Sequence, residues 1–183
     1  MRAIDVRDLL ETPGSSRTVH VEEPVPGLRT ELADVPEDTP IAADLTLESV
    51  VEGIFVRGSL EGRFAMRCAR CLKTFERDFD VEMIELVPRE PGPDDDYALE
   101  PDLTLDPEPI VRDAVVLEMP FSPLCRPDCL GLCEICGGDR NLGECPGHEV
   151  TDPRWDALDV LLQHLEAQPD QEPSDDDDRT TTS

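Results

Sequence analysis

The stretch GRFAMRCARCLKTFERDFDVEMIEL, residues 62–86, places two alternating runs on either side of a Cys-x-x-Cys pair. In the first run a period of two puts Phe64, Met66 and Cys68 on one face and Arg63, Ala65 and Arg67 on the other. That is the pattern of a strand with one packed and one wet face. TFERDFDVEMIEL predicts a second strand running back antiparallel, which makes residues 68–73 the connecting turn. Around this pair, residues 41–87 form the strongest β region: Leu45 and Leu47 alternate, VVEGIFV is apolar, and Gly58 and Gly62 fit a hairpin or a bulge. Upstream, DVRDLL predicts a short helix closed by PGSS, and TVHVEE a short strand. The expectation is an α+β protein: an antiparallel β meander with short helices and a Cys-rich, zinc-binding extension.

Downstream, residues 88–109 hold six prolines and eight acids, too little apolar material to offset the entropy of ordering. Asp106 as N-cap, Pro107 at the first helical position, and Ile110, Val111, Ala114 and Val115 at helical spacing predict a helix that Pro120 ends. Asp152, Pro153, Trp155, Leu158, Leu161, Leu162 and Leu165 predict a second, amphipathic helix. The organisation expected is a β-rich core at 1–87, an acidic loop or linker at 88–106, a segment at 107–168 that completes the same domain, and a disordered acidic tail at 169–183.

The chain has 183 residues and a formal charge of -27, which repels polyanions at long range and argues against a general nucleic-acid-binding surface. Residues 57–77 are the exception. They carry six basic residues (Arg57, Arg63, Arg67, Arg70, Lys73, Arg77) against Glu61 and Glu76, so the window is +4 and the remainder -31. Arg67, Arg70 and Lys73 crowd the turn, where guanidinium forks suit phosphate oxygens; the competing reading is internal neutralisation by Glu76, Asp78 or the acidic loop. Arginine outnumbers lysine fifteen to one, a hint of a GC-rich, bacterial genome. No apolar run suits a signal peptide or a membrane span, so a soluble cytoplasmic protein without a membrane partner is expected.

In a reducing compartment seven cysteines read first as metal ligands rather than disulfides. CRPDCLGLCEICGGDRNLGECPGH, residues 125–148, contains five of them and a histidine. Cys133, Cys136, Cys145 and His148 form a Cys3His set for a structural zinc, with Gly137 and Gly138 easing the turn; Cys125, Cys129, Cys133 and Cys136, or Cys129, Cys133, Cys136 and Cys145, are alternatives. Cys68 and Cys71 admit three readings: ligands of a second zinc with Cys125 and Cys129, a redox dithiol, or thiols that only shape a phosphate-contacting turn. A redox dithiol would sit at a helix start, where the dipole lowers a thiol pKa, yet both flanks here are strand-like. His20 and His164 have no partner motif. No phosphate-binding glycine loop or nucleophile arrangement appears, so the chain is read as no enzyme and as having no small-molecule substrate.

DVRDLLETPGSSR, SVVEGIFVRGSLEGRFAMRCARCL, DPEPIVRDAVVLEMPFSPLCRPDCLGLCEICGGDRNLGEC and DPRWDALDVL together resemble the YceD family of large-subunit ribosomal RNA accumulation proteins, in its high-GC Gram-positive form. Cys68, Arg70, Cys71 and Leu72 match the family's shared turn; Cys125, Asp128, Cys129, Gly131, Leu132, Cys133, Cys136 and Gly137 match the Cys-rich extension. The resemblance implies a bacterial cytosolic, non-catalytic factor for 23S rRNA accumulation and large-subunit assembly. Its partner would be 23S rRNA or a large-subunit precursor; the acidity of the loop and tail suits a basic ribosomal protein as a further partner. Two alternatives come from other classes: a zinc or dithiol redox enzyme, and a zinc-ribbon interaction module in transcription.

Overall fold

In the computed structural model, which describes residues 1–148 together with Trp155, Leu158, Leu161 and Leu162, the element order is β1 (Ile4–Asp5), α1 (Arg7–Glu11), β2 (Ser16–Glu23), β3 (Ala33–Asp34), β4 (Ile41–Ser49), β5 (Gly53–Arg67), β6 (Thr74–Pro88), β7 (Thr104–Leu105) and α2 (Glu108–Glu118), followed by a 3-10 turn at Arg140–Leu142. The chain divides into two compact units, residues 1–144 and 145–183, and all these elements belong to the first. No helix among the described residues is long and apolar enough to cross a membrane.

β5 and β6 are 15 residues each and pair antiparallel from Gly53↔Pro88 to Arg67↔Thr74. One edge of β5 is therefore filled along its whole length by β6. The other edge is shared end to end by β4, which pairs as far as Glu61, and by β3 at Ala65 and Met66. β2 closes the far side of β4. β1 and β7 make a separate two-stranded ladder.

The period of two decides which face packs. Leu45, Leu47, Ile54, Val56, Leu60, Phe64 and Met66 are all buried in one cluster with Leu9, Ile110, Val111 and Val115 from the two helices and with Val6 and Met119, which flank them. Each such side chain contributes roughly 1.5–3 kcal/mol on leaving water. Arg63 and Arg67 face solvent, as the alternation requires. In α2 the Asp106 side chain accepts from the Glu108 N–H at 2.9 Å; the helix starts at Glu108 and its last residue is Glu118, just before Pro120. The strap between β6 and β7 is pinned by Tyr97, which donates to Asp113 at 2.8 Å, and by Tyr97 and Leu99 packing on the core.

The structure corrects one expectation. Gly58 and Gly62 are not hairpin or bulge positions; both lie inside uninterrupted β5, and the turn into that strand comes earlier, where Val50 N–H donates to Gly53 O. The glycines answer to close approach instead. A Cβ on Gly58 would stand 2.2 Å from the Asp44 carbonyl oxygen, and one on Gly62 would stand 2.5 Å from the Phe79 ring. That ring lies across Gly62 and stacks on Phe64 with centroids 4.3 Å apart, a contact worth about 0.5–1.5 kcal/mol beyond its area. The helix predicted after Asp152, the acidic tail and His164 fall outside the described residues, save that Leu158, Leu161 and Leu162 are helical.

Because the obstacle at Gly58 is backbone, Gly58→Ala should destabilise the protein by about 1–3 kcal/mol. Urea denaturation measures it; an unchanged midpoint would contradict the close approach.

Candidate metal centre at the hairpin tip

Residues 68–73 close the long hairpin by a tight turn in which Leu72 N–H donates to Cys68 O and Cys68 N–H to Lys73 O, both at 2.9 Å. Leu72 takes a left-handed conformation, φ 60°, which costs a side-chain-bearing residue about 1–2 kcal/mol. The same pattern recurs at residues 133–138: Gly137 N–H donates to Cys133 O at 2.8 Å and Cys133 N–H to Gly138 O at 2.9 Å, with glycine in the left-handed place at φ 71°. Each Cys-x-x-Cys pair is thus folded into a knuckle that turns two sulfurs the same way.

The first knuckle does not stand alone. Cys68 Sγ lies 3.8 Å from Cys129 Sγ and Cys71 Sγ lies 3.7 Å from Cys125 Sγ, and the four sulfurs fall within 4.8 Å of one another. Sulfurs about 2.3 Å from a tetrahedral ion would be about 3.8 Å apart, so this donor set fits a metal ion. Cys68, Cys71 and Cys129 are buried and Cys125 is half-buried. Burial pushes the Cys68 thiol up, but N–H groups of Cys125, Cys71 and Arg70 and the Cys71 thiol outweigh it and bring it down to about 6. Cys125 is pushed up to about 12, first by burial and then by the thiols of Cys71, Cys68 and Cys129. Four close sulfurs cannot all carry charge without a cation among them.

A shell of polar contacts locks the tip onto the Cys-rich segment. Arg70 Nη1 donates to Cys129 O at 2.9 Å, Leu132 N–H to Arg70 O at 3.0 Å, and Ala69 N–H to Pro123 O at 2.8 Å. Lys73 Nζ meets Asp139 Oδ2 at 2.8 Å, an ion pair whose carboxylate is 5% exposed. Asp139 Oδ1 accepts from both the N–H and the Nδ2 of Asn141. Asn141 in turn accepts from Leu130 N–H and Arg126, and directs Nδ2 at Cys129 Sγ, 3.6 Å away. Asp139 and Asn141 are positioning residues that the sequence analysis missed; the Asp-x-Asn spacing of a capped turn, DRN, was the available signal.

The basic residues separate into different roles. Arg63 pairs with Asp78 at 2.7 Å and Glu76 at 3.5 Å, and Arg77 donates to Leu124 O at 3.3 Å. Arg70 and Lys73 hold the Cys-rich segment as just described. The Arg67 side chain is exposed and has no ion pair or hydrogen bond among the described residues. His20 contacts Asp44 at 2.9 Å on the solvent face of β2, away from any cysteine group. Cys68 and Cys71 stand at a hairpin tip with strand on both sides, so no helix dipole acts on them.

Among the described residues, two groups of four donors could hold a metal ion: Cys68, Cys71, Cys125 and Cys129, and Cys133, Cys136, Cys145 and His148. The structure therefore gathers Cys125 and Cys129 with the hairpin tip rather than with Cys133 and Cys136. The first group lies wholly in the first unit. Cys133 and Cys136 close the second knuckle of that unit.

Hydrogen bonds from Lys73 and Asn141 hold the Asp139 carboxyl down to about 2. Its contribution to stability is therefore full above the ordinary carboxylate value near 4 and is lost as pH falls towards about 2. Asp139→Asn should lower the thermal midpoint at pH 7, with the gap to the parent narrowing below about pH 4. A gap that stays constant down to pH 2 would remove the Lys73–Asp139 tie from the account.

Residues 56–162 match the family described as "Large ribosomal RNA subunit accumulation protein YceD". Uncharacterized proteins of Mycobacterium tuberculosis and Mycobacterium bovis are each 36% identical over 168 residues, covering 87% of this chain and 80% of the relative. One of Mycobacterium leprae is 31% identical over 167 residues, covering 86% and 76%. No solved structure matches. The match spans the long hairpin, α2 and the Cys-rich segment, and with these relatives it establishes that the chain belongs to the YceD family.

Proposed function

We propose that this protein is a non-catalytic factor for 23S rRNA accumulation and large ribosomal subunit assembly, acting in the cytoplasm through the hairpin tip. The family's description supplies the ribosomal RNA. The observation that carries the role of the tip is its construction: a cation-bearing turn fastened to a second segment by four sulfurs and a shell of hydrogen bonds. A turn held so rigidly presents its charges without paying further ordering entropy on binding. Arg67, Arg70 and Lys73 are the nucleic-acid contacts in this reading. Arg67 offers its whole fork, whereas Arg70 and Lys73 keep only their remaining donors for phosphate. The negative charge elsewhere restricts RNA contact to this small patch and suits a basic ribosomal protein as an additional partner.

The ion is zinc in a structural role. Four sulfurs leave no open position for water or substrate at Cys68, Cys71, Cys125 and Cys129, and Cys133, Cys136, Cys145 and His148 form the second set. Bound there, zinc supplies folding energy to a segment whose Leu130, Ile135 and Leu142 are all exposed. Native mass spectrometry should find two zinc ions per chain, one of them lost in a Cys68→Ser, Cys71→Ser variant; protein purified without any zinc would sink the assignment. Loss of Asn141, by Asn141→Ala, should weaken zinc binding about 10–100-fold in a chelator competition.

Crosslinking and sequencing of bound RNA in cells tests the function. The parent should enrich 23S rRNA, and Arg67→Glu, which disturbs none of the described contacts of the tip, should reduce that enrichment severalfold. Equal enrichment by both would remove RNA contact from the tip.

A further inference from the structure

The knuckle geometry requires a left-handed residue at position 72 but does not require a leucine there. At the equivalent place of the other knuckle the sequence has Gly137, which takes that conformation without steric cost. Leu72 pays the cost and then holds its side chain out: it is 54% exposed and belongs to neither buried cluster, although Cys68 and Cys71 beside it are buried. The other left-handed non-glycine residue among the described residues, Leu103, differs. Its carbonyl accepts from Val6 N–H and its own N–H donates to Glu100 O, which ties the acidic strap to the start of the chain. At position 72 the backbone bond to Cys68 O would survive replacement by glycine, so the folded chain has no use for the apolar side chain.

Its surroundings indicate what would use it. Arg67, at the end of β5, and Arg70 and Lys73, in the turn, surround Leu72, with no acid among residues 67–73. A cationic rim attracts a polyanion and disfavours a basic protein. Within RNA, an aliphatic side chain finds an apolar partner only where a base is unstacked, since A-form duplex buries its base faces. We propose that Leu72 is an RNA-contact residue, packing its side chain on an unstacked base of single-stranded RNA while Arg67 and Lys73 take the neighbouring phosphates. The assignment rests on the proposed rRNA contact of the tip and adds to it a preference for unpaired over duplex RNA.

The test uses the full zinc-loaded chain and two probes read by fluorescence anisotropy: a 20-nucleotide (approximately) single strand of 23S rRNA sequence, and the same strand in duplex. Leu72→Gly and Leu72→Asn both tolerate the left-handed conformation. Each should lose about tenfold in affinity for the single strand and change duplex binding by less than about threefold. Thermal midpoint and zinc content should be unchanged or, for Leu72→Gly, the midpoint raised. Unchanged affinity for the single strand overturns the assignment, as does an equal loss on both probes. A lowered midpoint or zinc content overturns it too, by making Leu72 structural. If the variants keep their RNA affinity but fall away from large-subunit particles, the leucine reaches a protein and the assignment is again wrong. Loss of binding in Arg67→Glu with none in the Leu72 variants refutes the leucine alone; a parent that binds neither probe refutes the RNA reading of the tip and the leucine with it.

Discussion

The structure depends on four sulfurs being brought into mutual contact from two places in the chain. Cys68 and Cys129 are 61 residues apart in sequence, and Cys71 and Cys125 are 54 apart. Thiols make poor glue: they hydrogen-bond weakly, and once ionised they repel. Their approach is sustained by directed N–H groups, by the Asp139–Asn141 network behind Cys129, and by the capacity of the set to share one cation. The Cys-rich segment contributes almost nothing to the apolar core, in contrast to α2, which is held by Ile110, Val111 and Val115. Two kinds of cohesion therefore coexist in the first unit, an aliphatic one under the sheet and a polar, sulfur-centred one at its tip.

Charge is distributed to the same end. The sole lysine of the sequence, Lys73, is committed to Asp139, the most buried carboxylate among the described residues. Burying that carboxylate without a partner would be costly, so tip and segment each hold what the other lacks. Arg63 and Arg77 are likewise engaged along β5 and β6, which leaves Arg67 as the cation of the turn with the least to do inside the molecule. Internal neutralisation and outward contact are thus divided among neighbouring residues.

The hairpin was legible because alternation of period two is a local property: Phe64, Met66 and Cys68 went inward and residues 68–73 became the turn, as their spacing required. α2 was legible from the helical spacing of Ile110, Val111, Ala114 and Val115, which is also local, but its start was read one residue early: Pro107, not Asp106, is the N-cap, and the helix begins at Glu108. What was not legible depends on partners distant in sequence. Gly58 and Gly62 looked like breaks because nothing local reveals that the Asp44 carbonyl and the Phe79 ring press on them from the neighbouring strands. Two-residue strands such as β1, β3 and β7 carry no pattern to read. Of several ways to group the cysteines, spacing favoured sets close in sequence. The union of Cys68 and Cys71 with Cys125 and Cys129 could only be counted as an arithmetic alternative until the hairpin tip and the segment were seen side by side.

The distance between the two halves of the sulfur clamp also orders events while the chain is being made. At roughly 5–20 residues per second, the knuckle at the hairpin tip leaves the ribosome some seconds, roughly 3–12, before its counterpart sulfurs. During that interval the sheet can already zip from β4 through β6, while the tip waits with two of its four thiols. The clamp is thus a late latch on a finished hairpin, and the nascent protein passes through an open form in which its most reactive atoms are exposed to whatever metal or oxidant reaches them first.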